Sequence, residues 1–367
     1  MSALLSLAKL VPPPKFITLP STGVDISDTS IKYVQFTNQN RYRSELRLEN
    51  WGDIDLDEDT FKRGQIIDQQ KFVSAMKEVA AVCGTPYVRV SLPEERAYIF
   101  ETEVKRGMAP DEIQGLLEFR LEENVPISPR DAYFDYDIIT DPLRSDILRV
   151  IVTVYDQAVV RGYYEGCRAA GLIPLSFEVE AAAIARATIP RADDKTHMII
   201  DFGKTRSGVG IVHEGTLMYT STIDIGGDEL SRILRRAVGD LTESELTRIK
   251  NTQGLVRGAD DTKVFDALIS LVSVVRDEVN TRIEYWRTKE LQREEREIDS
   301  IILCGGSANL KGLPEYFTET LGIKTVRADV WQNAFDIETM IPPIGRRYSY
   351  GYATAVGLGL AGFIEPL

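Results

Sequence analysis

The stretch "IIDFGKTRSGVGIV", residues 199–212, contains the pattern that predicts the fold of this chain. An apolar segment ends at Asp201, runs through a short loop of glycine, hydroxyl and cationic side chains, and resumes as a second apolar segment. Such a pattern predicts two strands joined by a tight turn. A similar stretch, "GVDISDTSIKYVQF", occupies residues 23–36 and has Asp25 at the corresponding place. Each half of the chain is therefore expected to contribute one aspartate turn.

Composition and charge are those of an ordinary globular protein. The chain has 367 residues, of which 43% are apolar and 27% charged, and this length predicts roughly two domains. A net charge of −13 argues against a nucleic-acid-binding surface and against a basic membrane-binding face, because both need clustered Lys and Arg. Cys83, Cys167 and Cys304 are scattered, which predicts neither a disulfide framework nor a zinc site and suits a reducing, cytoplasmic compartment.

Two apolar segments need an interpretation. The N-terminal stretch "MSALLSLAKLVPPPKF" lacks a charged leader and a cleavage-like site, so a signal peptide is not expected. The uncharged run from Tyr348 to Ile364 reaches only the lower edge of the roughly 17–25 residues that span a bilayer. Its small residues, in "YATAVGLGLAG", favour a helix packed closely on a sheet.

Strand and helix patterns alternate along the chain, which indicates α/β architecture. Residues 98–171 form a compact block of strand, helix, two strands and helix, which predicts an inserted α/β subdomain. The second half begins with the aspartate turn, after the polar break "PRADDK". The helix of the block has apolar residues at spacings that predict a face packed on the block's own sheet. These residues are Ile113, Leu116, Leu117, Leu121 and Val125.

The two aspartate turns have a chemical interpretation. They are called turn one (residues 25–30) and turn two (residues 201–207). An aspartate at the tip of a strand, followed by backbone N–H groups and hydroxyls, commonly holds hydrated Mg²⁺ and nucleotide phosphates. Either turn alone is more often an ordinary hairpin in which Asp caps the bend. The pair favours a polyphosphate clamped between two domains, with a cation between carboxylate and phosphate.

A third stretch extends the pattern. "IILCGGSANLKGL", residues 301–313, predicts a strand that runs into a Gly-Gly turn and then a helix. The absence of side chains at such a turn lets a flat ligand such as a nucleoside approach the backbone. The order is then phosphate turn, connecting helix, phosphate turn, connecting helix and adenosine turn.

These motifs resemble the actin-like ATPase superfamily, which includes actin, sugar kinases, Hsp70 chaperones and FtsA. "FEVEAAAIARA" is similar to the first connecting helix, and "STIDIGGDEL" to the segment that begins the smaller lobe of the second half. Within the superfamily the chain most resembles the PilM family of type IV pilus assembly, also through "GQIIDQQKFVSAMKEV" and "RVSLPEERAYI". The resemblance runs from about residue 20 to the end. It implies an α/β actin-like ATPase fold, with two lobes around a nucleotide cleft and an inserted 1C subdomain of the FtsA and PilM type.

The resemblance implies a division of the chain into eight segments. They are an N-terminal segment 1–15, subdomain 1A in 16–97 and 172–195, subdomain 1C in 98–171, subdomain 2A in 196–227 and 298–345, subdomain 2B in 228–297, and a C-terminal helix in 346–367 that returns to 1A.

The resemblance also implies binding of ATP and Mg²⁺. Asp25 and Asp201 would lie near the metal, and Glu178, expected on the first connecting helix, would order a water. The other implied nucleotide contacts come from the turns. They are Ser27, Thr29, Ser30, Gly203, Lys204, Thr205 and Ser207 for the phosphates, Gly226 and Gly227 for the ribose, and Gly305, Gly306 and Ser307 for adenosine.

Four residues depart from the family pattern. Ser27 stands where the family usually has Gly, and Asp28 where a hydroxyl residue is common; Lys204 and Arg206 are unusual cations in turn two. A Cβ and an added negative charge near a γ-phosphate should weaken binding unless cations compensate. We therefore expect ATP binding with at most slow hydrolysis. A degenerate nucleotide site in a fold kept as a scaffold is the alternative.

The resemblance further implies a partner. In the PilM family a groove beside subdomain 1C receives the cytoplasmic N-terminal peptide of the inner-membrane protein PilN, so the chain would bind a PilN-like protein and be peripheral to the membrane. Self-association is a further expectation. Two alternatives of the same fold are a small-molecule kinase and an FtsA-like filament protein, the second disfavoured because no basic amphipathic helix follows the core.

Overall fold

The computed structural model describes residues 20–38, 46–139, 146–257, 262–289, 296–336 and 340–364. The predicted N-terminal segment 1–15 lies outside these ranges. The chain divides into two compact units, each assembled from separate parts of the sequence. Unit 1 comprises 1–191, 330–344 and 352–367, and unit 2 comprises 192–329 and 345–351.

The strands and helices alternate as the sequence predicts. The strands are β1 (Thr22–Ile26), β2 (Ser30–Asn38), β3 (Leu46–Asp55), β4 (Phe61–Lys62), β5 (Gln65–Ile66), β6 (Tyr87–Leu92), β7 (Tyr98–Lys105), β8 (Ala132–Ile139), β9 (Ile147–Asp156), β10 (Ile173–Val179), β11 (Thr196–Phe202), β12 (Ser207–His213), β13 (Thr216–Ile223), β14 (Ser300–Cys304) and β15 (Thr325–Arg327). The helices are α1 (Gln69–Val82), α2 (Pro110–Asn124), α3 (Gln157–Ala169), α4 (Glu180–Thr188), α5 (Gly227–Val238), α6 (Glu243–Thr252), α7 (Lys263–Lys289), α8 (Leu313–Leu321), α9 (Arg346–Ser349) and α10 (Ala353–Ile364).

The main sheet of unit 1 positions turn one. Its strand order is β10-β6-β1-β2-β3. Strand β1 runs parallel to β6 and antiparallel to β2, and the register sets Asp25 opposite Lys32. All but one residue of β1 and of β6 are buried, because both are interior strands of the sheet. The aspartate thus lies at the end of a central strand, next to a lysine on the neighbouring strand.

The inserted block forms its own small core. Strands β7, β9 and β8 make a three-stranded antiparallel sheet. Residues Ile113, Leu117 and Leu121 of α2 are buried in one cluster with valines of β9, so the prediction that this helix packs on the block's own sheet is confirmed. The limits 98–171 for the block stay a prediction.

Unit 2 has a second five-stranded sheet, which positions turn two. Its strand order is β13-β12-β11-β14-β15. Strands β11 and β12 are an antiparallel pair with Asp201 opposite Gly208, and β11 runs parallel to β14 with Asp201 opposite Cys304. The strands that precede turn two and the Gly-Gly turn at 305–306 therefore end at the same edge of the sheet. The long helix α7 contributes a buried row from Val264 to Trp286 to the rest of this unit.

Helix α10 packs on β1 and α4 in unit 1. Glycine makes the approach possible, since a Cβ at Gly23 would overlap the carbonyl oxygen of Ala355 and one at Gly357 would overlap that of Ala183. The prediction that this uncharged run is a helix packed on a sheet is confirmed. None of the described helices combines the length and apolar character needed to cross a bilayer.

We predict that Gly357→Ala destabilises unit 1. The added methyl group would force α10 away from α4, and overpacking of this kind costs about 1–3 kcal/mol or more. Urea unfolding followed by circular dichroism measures the change. Gly115→Ala is the control, because Gly115 is helical with nothing within 4 Å of an added Cβ and should gain up to about 1 kcal/mol from helix propensity. Equal stability of Gly357→Ala and the wild type would show that the approach of α10 is looser than described.

Candidate functional site

Turn one joins β1 to β2 and is closed by its own hydrogen bonds. The Ser27 N–H donates to the carbonyl oxygen of Ser30 at 3.0 Å. The Ser27 hydroxyl donates to the same oxygen at 2.9 Å and accepts from the N–H groups of Ser30 at 3.1 Å and Thr29 at 3.4 Å. The structure therefore brings the three predicted turn residues together, with the hydroxyl of one bonded to the backbone of the other two.

Asp25 lies at the base of turn one. Its Oδ1 accepts from the hydroxyl of Ser91 at 3.2 Å, and that hydroxyl accepts from the N–H of Ile26 at 2.9 Å. Burial raises the pKa of Asp25, while Lys32 opposes that rise. A cation brought beside this carboxylate would offset its desolvation. Ser91 was not among the residues predicted from the sequence. Its polar side chain in the otherwise apolar end of "YVRVSL" was the signal that could have indicated it.

The carboxylate of Asp28 accepts hydrogen bonds from the backbone of a neighbouring bend. The donors are the N–H groups of Arg63 at 3.0 Å and Gly64 at 2.9 Å, at the bend between β4 and β5. Both residues of that bend have left-handed backbone, with φ of 50° and 68°, and the hydroxyl of Tyr163 on α3 donates to the Gly64 carbonyl oxygen at 3.0 Å. The negative charge that the sequence predicts beside the phosphates stays a prediction. The structure gives this carboxylate two backbone donors in the β4–β5 bend.

Turn two repeats the backbone bond of turn one in unit 2. The Gly203 N–H donates to the carbonyl oxygen of Arg206 at 3.0 Å and also lies 3.0 Å from that of Asp201. The Ser207 hydroxyl donates to the carbonyl oxygen of Ile225 at 2.7 Å. The equivalent residues of the two turns are therefore Ser27 and Gly203, each two positions after its aspartate.

The glycine pair at the start of α5 packs directly on turn two. The Gly227 N–H donates to the Gly203 carbonyl oxygen at 3.0 Å, and the Asp228 N–H to that of Lys204 at 2.9 Å. A Cβ at Gly226 would overlap the backbone from Lys204 to Arg206. Only glycine allows this approach, so the sequence "IGG" fixes the position of α5 on turn two.

The second Gly-Gly turn also packs on turn two. A Cβ at Gly305 would overlap the carboxylate of Asp201, whereas one at Gly306 would meet nothing within 4 Å. The Ser307 hydroxyl donates to the Gly203 carbonyl oxygen at 3.3 Å. Three turns of unit 2 thus meet at one point. The predicted site residues that they bring together are Asp201, Gly203, Lys204, Thr205, Ser207, Gly226, Gly227, Gly305, Gly306 and Ser307.

Lys250 of α6 lies beside this cluster and was missed by sequence reasoning. Its Nζ donates to the Ser231 hydroxyl at 2.7 Å and lies 3.5 Å from the Gly227 carbonyl oxygen and 3.4 Å from Glu243. Burial lowers the pKa of Lys250, and Glu243 opposes that change. Burial raises the pKa of Asp228, and Lys204 opposes it. A partly desolvated cation thus stands at the start of α5.

Glu178 is not on the connecting helix, where the sequence analysis placed it. It lies in strand β10, and α4 begins two residues later. Its carboxylate makes an ion pair with Arg186 at 2.7 Å and accepts from the Ser176 hydroxyl at 3.0 Å. The helix begins later than predicted because the apolar and small residues suited to it start at Ala181, while "LSFEV" extends the sheet.

Asp25 and Asp201 suit a metal ion that is bound together with a phosphate-bearing ligand. Across the described ranges, no three His, Cys, Asp or Glu side chains lie close enough to hold a metal by themselves. Asp25 in unit 1 and Asp201 in unit 2 are each surrounded by hydroxyl or backbone groups. Mg²⁺ usually keeps several waters and binds one or two carboxylates plus substrate phosphates. Single carboxylates at glycine and hydroxyl turns agree with that preference.

The chain matches the family model of the type IV pilus assembly protein PilM over residues 23–363. This match covers both units and every predicted site residue. Its extent agrees with the resemblance in the sequence, which runs from about residue 20.

Solved structures support the same fold. A PilM–PilN type IV pilus biogenesis complex contains a chain that is 19% identical, with a TM-score of 0.75 over 94% of this chain and 98% of that one. The ethanolamine utilization protein EutJ from Carboxydothermus hydrogenoformans is 14% identical, with a TM-score of 0.50 over 95% and 90% of the two chains. The predicted α/β fold of the actin-like ATPases is confirmed. Identities this low show the fold alone.

We predict that Asp28→Ala loosens the β4–β5 bend. Two backbone N–H groups lose a charged acceptor, and the loss should destabilise unit 1 by about 1–2 kcal/mol because the site is partly exposed. Hydrogen exchange of the Gly64 amide, together with chemical unfolding, measures the effect. Asp57→Ala is the control, since the Asp57 side chain is 76% exposed and pairs weakly with Lys71 at 3.8 Å. Unchanged exchange at Gly64 would mean that this carboxylate does not hold the bend.

Proposed function

This chain belongs to the PilM family of type IV pilus assembly proteins, and we propose that it serves there as a nucleotide-binding scaffold for a PilN-like membrane protein. The proposal has two parts, a nucleotide site and a peptide site. Such a partner would hold the chain at the inner face of the cytoplasmic membrane.

The contact of three turns in unit 2 carries the nucleotide part of the proposal. Glycine at 226, 227 and 305 lets the three turns pack closely on one another, and Gly306 beside them has nothing within 4 Å of an added Cβ. A nucleoside or its phosphates could approach the backbone at that open position, next to Asp201. Asp201 would hold Mg²⁺ there. In unit 1, turn one would offer Asp25 to a metal and the backbone N–H groups of Thr29 and Ser30 to phosphates, at the turn that Ser27 closes. Bound Mg²⁺ would supply positive charge against the phosphates.

Slow turnover follows from the position of Glu178. A residue that activates water must be free to accept its proton. Glu178 is instead held between Arg186 and Ser176, which occupy its carboxylate oxygens. We therefore assign it a structural role in α4 and β10. The nucleotide would then act chiefly as a ligand that stabilises the fold by mass action.

A cavity in unit 1 supports the peptide part of the proposal. It has a volume of about 590 Å³ and lies between the end of α2 in the inserted block and helix α3. Its lining is Pro126, Ile127, Ser128, Asp131, Asp156, Gln157, Ala158, Arg161, Gly162 and Glu165. Three acids against one arginine favour a cationic segment, and the apolar residues Pro126, Ile127 and Ala158 favour an adjacent apolar side chain. The solved PilM–PilN complex, whose PilM-like chain has this fold, makes the N-terminal peptide of a PilN-like protein the candidate ligand.

The nucleotide part predicts that Asp201→Ala lowers the affinity for MgATP by about 10–100-fold, as for removal of a residue that positions a bound metal. Adenosine should bind equally well to both proteins, because it carries no phosphate and needs no metal. Isothermal titration calorimetry with each ligand separates the two effects. Asp240→Ala is the control, since the Asp240 side chain is 97% exposed. Equal MgATP affinity in the wild type and Asp201→Ala would remove Asp201 from the metal site.

The peptide part predicts that Glu165→Lys weakens binding of a PilN-like N-terminal peptide at least about tenfold, because a like charge would face a cationic ligand. Fluorescence anisotropy with a labelled synthetic peptide measures the affinity, and the loss should shrink at high salt. Glu319→Lys is the control, an exposed charge reversal on α8 of unit 2. Equal affinity of the peptide for the wild type and Glu165→Lys would place the peptide elsewhere.

A further inference from the structure

Turn one differs from turn two at one side chain that bears on phosphate binding. We infer that the Ser27 hydroxyl closes turn one against phosphate and so sets the affinity and selectivity of the proposed nucleotide site. The inference rests on that proposed function. It concerns how strongly phosphates are recognised, and not whether the nucleoside binds.

The two turns share their backbone. Ser27 N–H donates to the carbonyl oxygen three residues later, at Ser30, and Gly203 N–H does the same to Arg206, each at 3.0 Å. Both turns follow an aspartate at the end of a strand that pairs with the next strand. Glycine at 203 has no hydroxyl to offer, whereas serine at 27 does. The chain thus contains this turn twice, once with serine and once with glycine two positions after the aspartate.

The Ser27 hydroxyl occupies the donors that a phosphate would need. It accepts from the N–H of Ser30 at 3.1 Å and of Thr29 at 3.4 Å. Backbone N–H groups that point to one place form an anion-binding concavity. Here the neutral Ser27 hydroxyl already accepts the hydrogen bonds that an anion would accept. A phosphate oxygen at this turn must displace it, so part of the binding free energy is lost in the exchange.

The cation of turn one is engaged in the same network. Lys32 Nζ donates to the Ser30 hydroxyl at 2.7 Å and lies 3.8 Å from Asp53. The lysine therefore already has a hydroxyl and a carboxylate as partners before a phosphate binds. The N–H groups and the ammonium of turn one are therefore bonded within the protein. The feature of turn one that turn two lacks is the side-chain hydroxyl at the position of Gly203.

The backbone allows the hydroxyl to be removed. The described non-glycine residues with left-handed φ are Arg63, Ala192 and Glu214, so position 27 accepts alanine without strain. Ser27→Ala leaves the Ser27 N–H bond in place and frees the N–H groups of Thr29 and Ser30. Ser27→Gly makes turn one resemble turn two at this position. Neither change touches Asp25 or Asp201.

The test compares MgATP, MgADP and adenosine by calorimetry in the wild type, Ser27→Ala, Ser27→Gly and the control Ser74→Ala. Ser74 is exposed on α1. We expect both Ser27 variants to bind MgATP about tenfold more tightly, since freed N–H groups gain a charged acceptor, with adenosine unchanged. Without ligand, their melting temperatures should fall slightly because two N–H groups lose a partner, and the rise with MgATP should exceed that of the wild type.

The outcomes are separable. If the wild type binds MgATP and both Ser27 variants bind it equally or more weakly, the inference is wrong and the proposed function stands. If adenosine gains as much as MgATP, the hydroxyl does not act on phosphate and the inference is also wrong. If no protein binds any of the three ligands, the proposed nucleotide site and the inference both fail. Binding of MgATP by the Ser27 variants alone would support the inference and make the wild-type site a closed one.

Discussion

In both units the candidate turns depend on glycine, because neighbouring backbone or a carboxylate occupies the space of the missing Cβ. The backbone of α10 packs against Gly23 in β1, and the backbone of turn two packs against Gly226. A contact of this kind fixes position more strictly than an apolar side chain, which can change rotamer. The strands that end in Asp25 and Asp201 are thus held by backbone packing, and the turns inherit that rigidity.

The two aspartate turns nevertheless have different environments. In unit 1 the hydroxyls of Ser27 and Ser91 and the ammonium of Lys32 satisfy most of the polar groups of turn one. In unit 2 the Gly-Gly turns at 226–227 and 305–306 pack on turn two, and glycine allows this close approach. Turn two is therefore held by bonds from neighbouring turns, whereas turn one is held mainly by bonds among its own residues and those of adjacent strands.

Local patterns predicted much of this, and long-range contacts account for what they did not. The paired Asp turns, the Gly-Gly turns and the helix spacing in α2 are patterns within about fifteen residues, so the sequence alone could indicate them. The partner of Asp28 lies 35 residues away and that of Asp25 lies 66 residues away, and no local periodicity reports such pairs. Glu178 was misplaced because strand and helix propensities overlap in "SFEVEAAA". The acidic cavity beside α3 also joins separate segments.

Unit 2 separates the segments of unit 1 in the sequence, so the parts of unit 1 are synthesised at different times. Strand β1 leaves the ribosome first, but α10, which packs on it, follows the whole of unit 2. At roughly 5–20 residues per second, the roughly 330 residues between them take about 15–65 s to make. Until α10 is made, Val24, and later Ala183 and Ile184, lack the helix that packs on their elements in the finished protein. Unit 1 can therefore complete its core only after unit 2 has been synthesised.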